Sequence, residues 1–337
     1  MIKSKLLKLI LSIFSIIILS CTNSKGPVNK VKMDLDVRRF EKDLFSIDLY
    51  DFEDGVTNLS DKYPEFLPLF TQGIIEIGSP VSDGFADRFK LFFTDFTIYR
   101  VSEYIKENFK DISGIEKELE NAFGNYSACF PDMQIPKIIT CISGFNQSIV
   151  TADSILAISL DKYLGSGNEF YELMYPPIPK YMRNKMIPEK IPSDAMNAWI
   201  ISEFPYNSKK DNLVSQMVFN GRAVYCTKIL MPSLPDTLLW GFTSSQLDFC
   251  KRNEKGMWEF LIEHKLLFST DHFIINQYVN DAPFTKDFSN ESPGRAVNWI
   301  GYQIVSSYMN NNKDITLPDL MKESNYLNIL NHSRYNP

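Results

Sequence analysis

The sequence predicts a mainly α protein of the α+β class, a helical body carrying a small antiparallel β-sheet in the middle of the chain. Three observations carry this. Apolar residues recur at helical spacing over most of the length. The exception is residues 135–160, where two β-branched runs flank a Gly/Asn break. Prolines at 188, 192, 232, 235, 283 and 318 fall between the helical segments or at their starts, where a missing N–H costs least.

The N-terminus is read first. Lys3, Lys5 and Lys8 make a positive start, and Leu6 to Leu19 is apolar apart from Lys8. That run has the length of an export-signal core and is short for a membrane span. Ile18-Leu19-Ser20-Cys21 comes next, an apolar residue, a spacer and a small residue directly before cysteine. This is the pattern read by lipoprotein signal peptidase, and the thiol is required because it forms the thioether to diacylglycerol. Residues 1–20 are therefore expected to be a removed signal peptide and Cys21 the lipidated residue, with membrane lipid as its partner. Residues 21–33 form a polar tether, and its second residue, Thr22, is not the Asp that retains lipoproteins at the inner membrane. The expected address is the outer membrane, facing the periplasm.

Residues 34–337 are expected to fold as a single domain, with 34–125 a possible helical subdomain. A helical pattern starts at Val37 and carries Phe40, Leu44 and Phe45 on one stripe. Asp51, Glu53 and Asp54 make an acidic, loop-like cluster. Tyr63 to Phe70 is aromatic and proline-punctuated, and opens the next helix. Residues 84–110 predict one or two buried helices, and 115–123 another. Lys137 to Ser143 and Ser148 to Leu160 read as two antiparallel strands around the turn Gly144-Phe145-Asn146. Helices are then expected at 178–187, 193–204, 211–230, 243–267, 270–280, 294–311 and 316–323.

The formal net charge of −6, with both signs intermixed, gives no basic field for nucleic acid. Four cysteines remain beyond Cys21: Cys129, Cys141, Cys226 and Cys250. An even number in an oxidising compartment permits disulfides, with three pairings, and buried free thiols are the alternative. No CxxC spacing points to a thiolate metal site. The three histidines, His264, His272 and His332, lack the i, i+4 partner of an HExxH zinc helix. There is no GxSxG, and Cys226 lies in an apolar helix rather than an activating environment. No catalytic residue, metal ligand or cofactor is assigned, and the chain is expected not to be an enzyme.

Two stretches carry more information. Ser292-Pro293-Gly294-Arg295 reads as a helix start, with Ser292 as cap and Pro293 in the first turn. Gly301 there would admit a neighbouring helix, beside the stripe Trp299, Ile300 and Ile304. Phe219-Asn220-Gly221-Arg222-Ala223-Val224-Tyr225 again sets a glycine amid aromatics. Close helix packing explains both; a cleft is the sharper reading, with Asn220, Gly221, Tyr225, Arg295 and Trp299 as the candidate interaction residues.

Together with Arg39-Phe40-Glu41-Lys42-Asp43-Leu44-Phe45, Tyr63-Pro64-Glu65-Phe66, Ala282-Pro283-Phe284 and the ending Ser333-Arg334-Tyr335-Asn336-Pro337, these stretches resemble the gliding-motility lipoprotein family GldB. The resemblance spans nearly the whole chain. It implies a non-catalytic, membrane-anchored component supporting gliding and the associated protein secretion machinery, with other envelope proteins of that apparatus as partners. It also implies a distant likeness to zincin-like putative peptidases, hence a degenerate zincin-like fold. There an edge-strand hairpin, here 138–160, precedes the metal helix, here 193–204 without a histidine. Asn220-Gly221 stands where that group carries Glu-Gly. The remaining alternatives are a cell-envelope hydrolase with an unrecognised site, or a ligand-binding lipoprotein with an apolar pocket near Trp299 and Tyr225.

Overall fold

A computed structural model describes residues 31–337. The signal peptide, Cys21 and the tether up to residue 30 lie outside the described residues. A four-stranded sheet in the order β1-β2-β4-β3 sits inside a helical body. Strand β1 (Val37–Arg39) leads into α1 (Phe40–Leu44), α2 (Phe52–Lys62) and α3 (Phe66–Leu69), which continues as one π-helical turn over Phe70–Ile74. Helices α4 (Phe85–Thr94), α5 (Phe96–Asn108) and α6 (Ser113–Cys129) come after it. Next are β2 (Lys137–Cys141), β3 (Ile149–Ala152) and β4 (Ile155–Ser159). The remainder is helical: α7 (Glu169–Leu173), α8 (Lys180–Arg183), α9 (Ile191–Glu203), α10 (Leu213–Leu230), α11 (Asp236–Trp240), α12 (Ser244–Glu263), α13 (His272–Val279), α14 (Ala296–Asn311), α15 (Leu317–Lys322) and α16 (Tyr326–Ser333). No helix among the described residues is long and apolar enough to cross a membrane.

The sheet corrects the sequence reading in two places. It is mixed rather than antiparallel. The run 148–160 folds back on itself at Asp153, whose φ is +44°, so β3 and β4 are the antiparallel hairpin. Strand β2 pairs parallel with β4, Ile138 opposite Leu156. The edge hairpin that the zincin-like resemblance implied over 138–160 therefore excludes β2 and is confined to β3 and β4. In addition, Val37 begins a strand, not a helix. Val37 lies opposite Ile138 in a parallel pair, and three residues are too few for a period to show in sequence.

Both faces of the sheet are buried, as parallel pairing favours. Ile139, Cys141, Ile155 and Ala157 face an aromatic core built by Phe40, Phe52, Phe66, Phe70, Phe89 and Phe93. Ile138, Leu156 and Ile158 face a second core with α5, α6 and α9. A third core, made by α10, α12, α13, α14 and α16, fills the C-terminal half. The two-residue alternation of each strand divides its side chains between the first two cores. The acidic cluster at Asp51, Glu53 and Asp54 is not a loop. It begins α2, where negative charge complements the exposed N–H groups of the first turn.

Candidate functional site

Because β2 and β4 run parallel, their carboxyl ends lie at the same end of the sheet. The chain passes from β2 to the far strand β3 across that end. Directly beneath the crossing is Asp161, wholly buried just after β4. Its carboxylate accepts the Ser143 N–H at 2.9 Å, the Ser143 hydroxyl at 3.1 Å and the Phe145 N–H. The Lys162 ammonium donates to the Phe145 carbonyl at 3.0 Å. Asn146 and Gln147 reach outward to the carbonyls of Ile74 and Gly73, at 3.0 and 3.1 Å, in the π-helical turn. Burial pushes the Asp161 carboxyl above its usual range, against the pull of the N–H donors. The crossing loop is thereby fixed from both sides.

This loop floors a cleft of about 890 Å³ walled by α4, α5 and α7. Phe92, Ile98, Phe145 and Phe170 give it apolar walls. Leu91, Phe96 and Leu173 stand 71, 73 and 70 % exposed on its rim, with Tyr175 fully exposed beside them. Arg100 crosses the rim, 5.3 Å from the Phe170 ring and paired with Glu169 at 3.0 Å. Two lining residues, Glu76 and Phe145, hold positive φ of 55° and 65° without being glycine. A bulky aromatic in that region is strained, and such strain persists only where surroundings over-determine it. Ligand crevices of open parallel sheets lie outside the carboxyl ends of the strands, which is where this one lies.

The residues singled out from the sequence lie elsewhere, along the crossing of α10 and α14. A Cβ on Gly221 would stand 2.2 Å from the Gly301 carbonyl carbon, and one on Gly301 1.8 Å from the Met217 oxygen. The two helix backbones are in direct contact. Asn220 donates to Asn298 at 3.3 Å. Trp299 is buried, 5.4 Å from the Trp240 ring, and half-buried Tyr225 rests 5.9 Å from Tyr302. Arg295 donates to the Trp240 carbonyl at 2.9 Å and pairs with Asp281 at 3.1 Å. It precedes α14 in the left-handed region, φ +53°. The helix start also differs from the sequence reading. Ser292 does not cap α14; the Thr285 hydroxyl accepts the Ala296 N–H at 2.8 Å, and Ser292 instead braces the Thr285 turn.

The other motifs are joints too. Phe40 packs on Tyr63 and Phe66 at 5.1 and 4.9 Å, and Tyr63 donates to Asp43. Glu41 holds Arg39 and accepts from Thr140 on β2 at 2.7 Å. Arg222 donates to the Glu323 carbonyl at 2.7 Å. The histidines are separate and exposed. His264 stacks on Phe260, His272 lies 3.6 Å from Asp211, and His332 bonds the Asn328 carbonyl. No group of three His, Cys, Asp or Glu side chains placed to hold a metal occurs among the described residues. Cys129, Cys141, Cys226 and Cys250 are all thiols. Of the cleft, the sequence reading reached only the Gly144-Phe145-Asn146 turn. The available signal was an aspartate, Asp161, ending a β-branched run.

No curated protein and no solved structure matches the chain. One family does, that described as gliding motility protein GldB, over residues 22–337. That match takes in all the joints above, and the chain belongs to the GldB family of gliding motility lipoproteins.

Proposed function

We propose that the chain is a non-catalytic lipoprotein that supports gliding and the associated protein secretion machinery. In this reading lipid on Cys21 holds it at the outer membrane, facing the periplasm, and it engages other envelope proteins. The observation that carries the reading is the family match across residues 22–337. The polar residues of the motifs support it, since Arg39, Glu41, Asn220, Arg222 and Arg295 are occupied in contacts that hold the fold. The cleft would then be the engaging surface. The chain enters the sheet at Val37, beside the amino end of β2, while the cleft lies beyond the carboxyl ends, at the other end of the sheet. Deleting the gene should abolish spreading on agar and reduce secreted adhesins, and a Cys21→Ser copy should fail to restore either. Unchanged spreading and secretion in the deletion strain would sink the proposal.

A ligand-binding lipoprotein is the second reading, favoured by the volume and apolar walls of the same cleft. In that reading the ligand would sit against Phe145 and Phe96. A hydrolase would need paired carboxylates in a polar cleft. Of the two acids lining this one, Asp95 is engaged in capping α5 through the N–H groups of Thr97 and Ile98. A peptidase and glycan-hydrolase screen of the purified protein tests that alternative directly.

A further inference from the structure

A second groove, of about 380 Å³, lies apart from the strand-end cleft and shares no residue with it. Three segments build it. The start of α6 supplies Gly114, Ile115 and Glu118, which fall on one helical face at spacings of three and four. The turn Pro188–Lys190 and the first turn of α9 make a second wall. The link from α10 into α11 makes the third. Leu234 in that link packs on the core behind α6 and α9 and also on the C-terminal helical core. An occupant would therefore lie across the junction of two cores.

The chemistry of the groove is one-sided. Ile115, Leu234 and Leu238 are only partly buried in it, and they give it an apolar floor. Pro188, Pro192 and Pro235 bring no backbone N–H, so the walls offer little to the backbone of another chain. Contact is then made by inserted apolar side chains, not by strand pairing. The only charged side chains lining the groove are Glu118 and Glu189, both exposed. Neither forms an ion pair among the described residues. The nearby cations do not balance them. Lys190 is held by Asp194 at 2.6 Å and Lys228 by Asp236 at 2.9 Å, while Lys117 lies outside the lining. An apolar groove with an unbalanced acidic rim repels acidic segments and selects a cation beside the apolar anchor.

We propose that this groove docks a basic amphipathic segment of a partner protein. Its apolar side chains enter between α6 and α11, and flanking Lys or Arg residues pair with Glu118 and Glu189. This is an engaging surface additional to the cleft and independent of it. Gly114 offers a way to close it. A Cβ there would meet nothing within 4 Å, so a large side chain can be added at the edge of the groove without displacing a neighbour.

The test uses three fluorescein-labelled, amidated peptides with the same Leu anchors at helical spacing and flanks of Lys, Gln or Glu. Anisotropy titrations are made with the detergent-solubilised full chain, against protein-free micelles as the blank. The Lys-flanked peptide should bind at least about tenfold more tightly than the Glu-flanked one, with the Gln-flanked peptide between them. Glu118→Lys combined with Glu189→Lys should reverse that order, a gain that a misfolded chain would not show. Gly114→Trp should abolish binding of all three. A chain carrying Phe96→Ser, Leu173→Ser and Tyr175→Ser should bind as the parent does. Equal binding of the three peptides, no saturable binding, or an order unchanged by the charge reversal overturns the proposal. Binding lost in the cleft variant but kept in Gly114→Trp places the segment in the cleft and overturns it too.

Discussion

The α10–α14 seam and the strand-end cleft solve opposite problems with similar side chains. Both are aromatic, and both place glycine at a critical backbone position. In the seam, Gly221 and Gly301 let two helices touch backbone to backbone, and the rings around them are buried or half-buried. In the cleft, Gly144 turns the chain at φ +70° over a buried carboxylate, and the rings on the rim stay in water. Glycine amid aromatics is therefore ambiguous between closure and opening. What separates the two is where the backbone polar groups go. The seam's groups are satisfied within helices, whereas the cleft's loop needs Asp161, Lys162, Asn146 and Gln147 to hold it.

The largest effects belong to the seam. Gly301→Val would drive carbon into the Met217 carbonyl, where no rotamer gives relief, and should cost at least ~3 kcal/mol or prevent folding. Urea denaturation of the purified chain measures it. A loss below ~1 kcal/mol would show that the helices do not touch as described. Next comes the cleft's own support. Asp161→Ala strands the buried N–H groups of Ser143 and Phe145 and should cost about 3 kcal/mol, read by the same titration. The two variants should also differ in kind. Gly301→Val is expected to abolish the C-terminal core, while Asp161→Ala is expected to loosen the 142–148 crossing, giving faster amide exchange there than in α14.

The seam was legible in the sequence and the cleft was not, for a physical reason. Helices α9, α10, α12 and α14 begin and end within a few residues of the positions read from periodicity, because each repeats its pattern over several turns. Glycines in long apolar helices advertise close approach by position alone. Strand β1 has three residues, and the π-helical turn has five, so neither establishes a period. The sheet's parallel pairing depends on which strand β4 meets, and a β-branched run carries no sign of that. The Thr285 cap of α14 comes from eleven residues upstream, out of reach of local capping patterns. The cleft collects Glu76, Arg88, Phe96, Phe145 and Phe170 from segments far apart in the chain. Only the fold brings them together.

Smaller effects distinguish the two regions by pH. At the seam, burial pulls Asp281 upward, but Arg295 and Lys185 overcome it and hold the carboxyl below 3.8. Its contribution is therefore present above 3.8 and is lost as pH falls through the folded value. Asp161 behaves oppositely. Burial raises it above 3.8, so its contribution is fully present below that and is lost as pH rises through its folded value. Asp281→Asn should flatten the acid limb of the stability profile and Asp161→Asn the limb above it. Because Asp281 is half-exposed, its share should stay under ~1 kcal/mol. Equal slopes in both variants would erase this distinction.

The least effect on stability should come from the cleft rim, and there the comparison is decided for function. Phe96, Leu173 and Tyr175 stand largely in solvent, so changing each to Ser should alter stability by no more than ~0.5 kcal/mol. If the rim engages a partner or ligand, the triple variant should fold and reach the membrane normally yet fail to restore spreading to a deletion strain. The control is Phe273→Ser on α13, an aromatic 72 % exposed but outside the cleft lining. It removes the same kind of surface from the C-terminal half and should restore spreading fully. Equal failure of both would mean that exposed aromatic surface matters without regard to the cleft. Full rescue by the triple variant would move the engaging surface off the strand ends altogether.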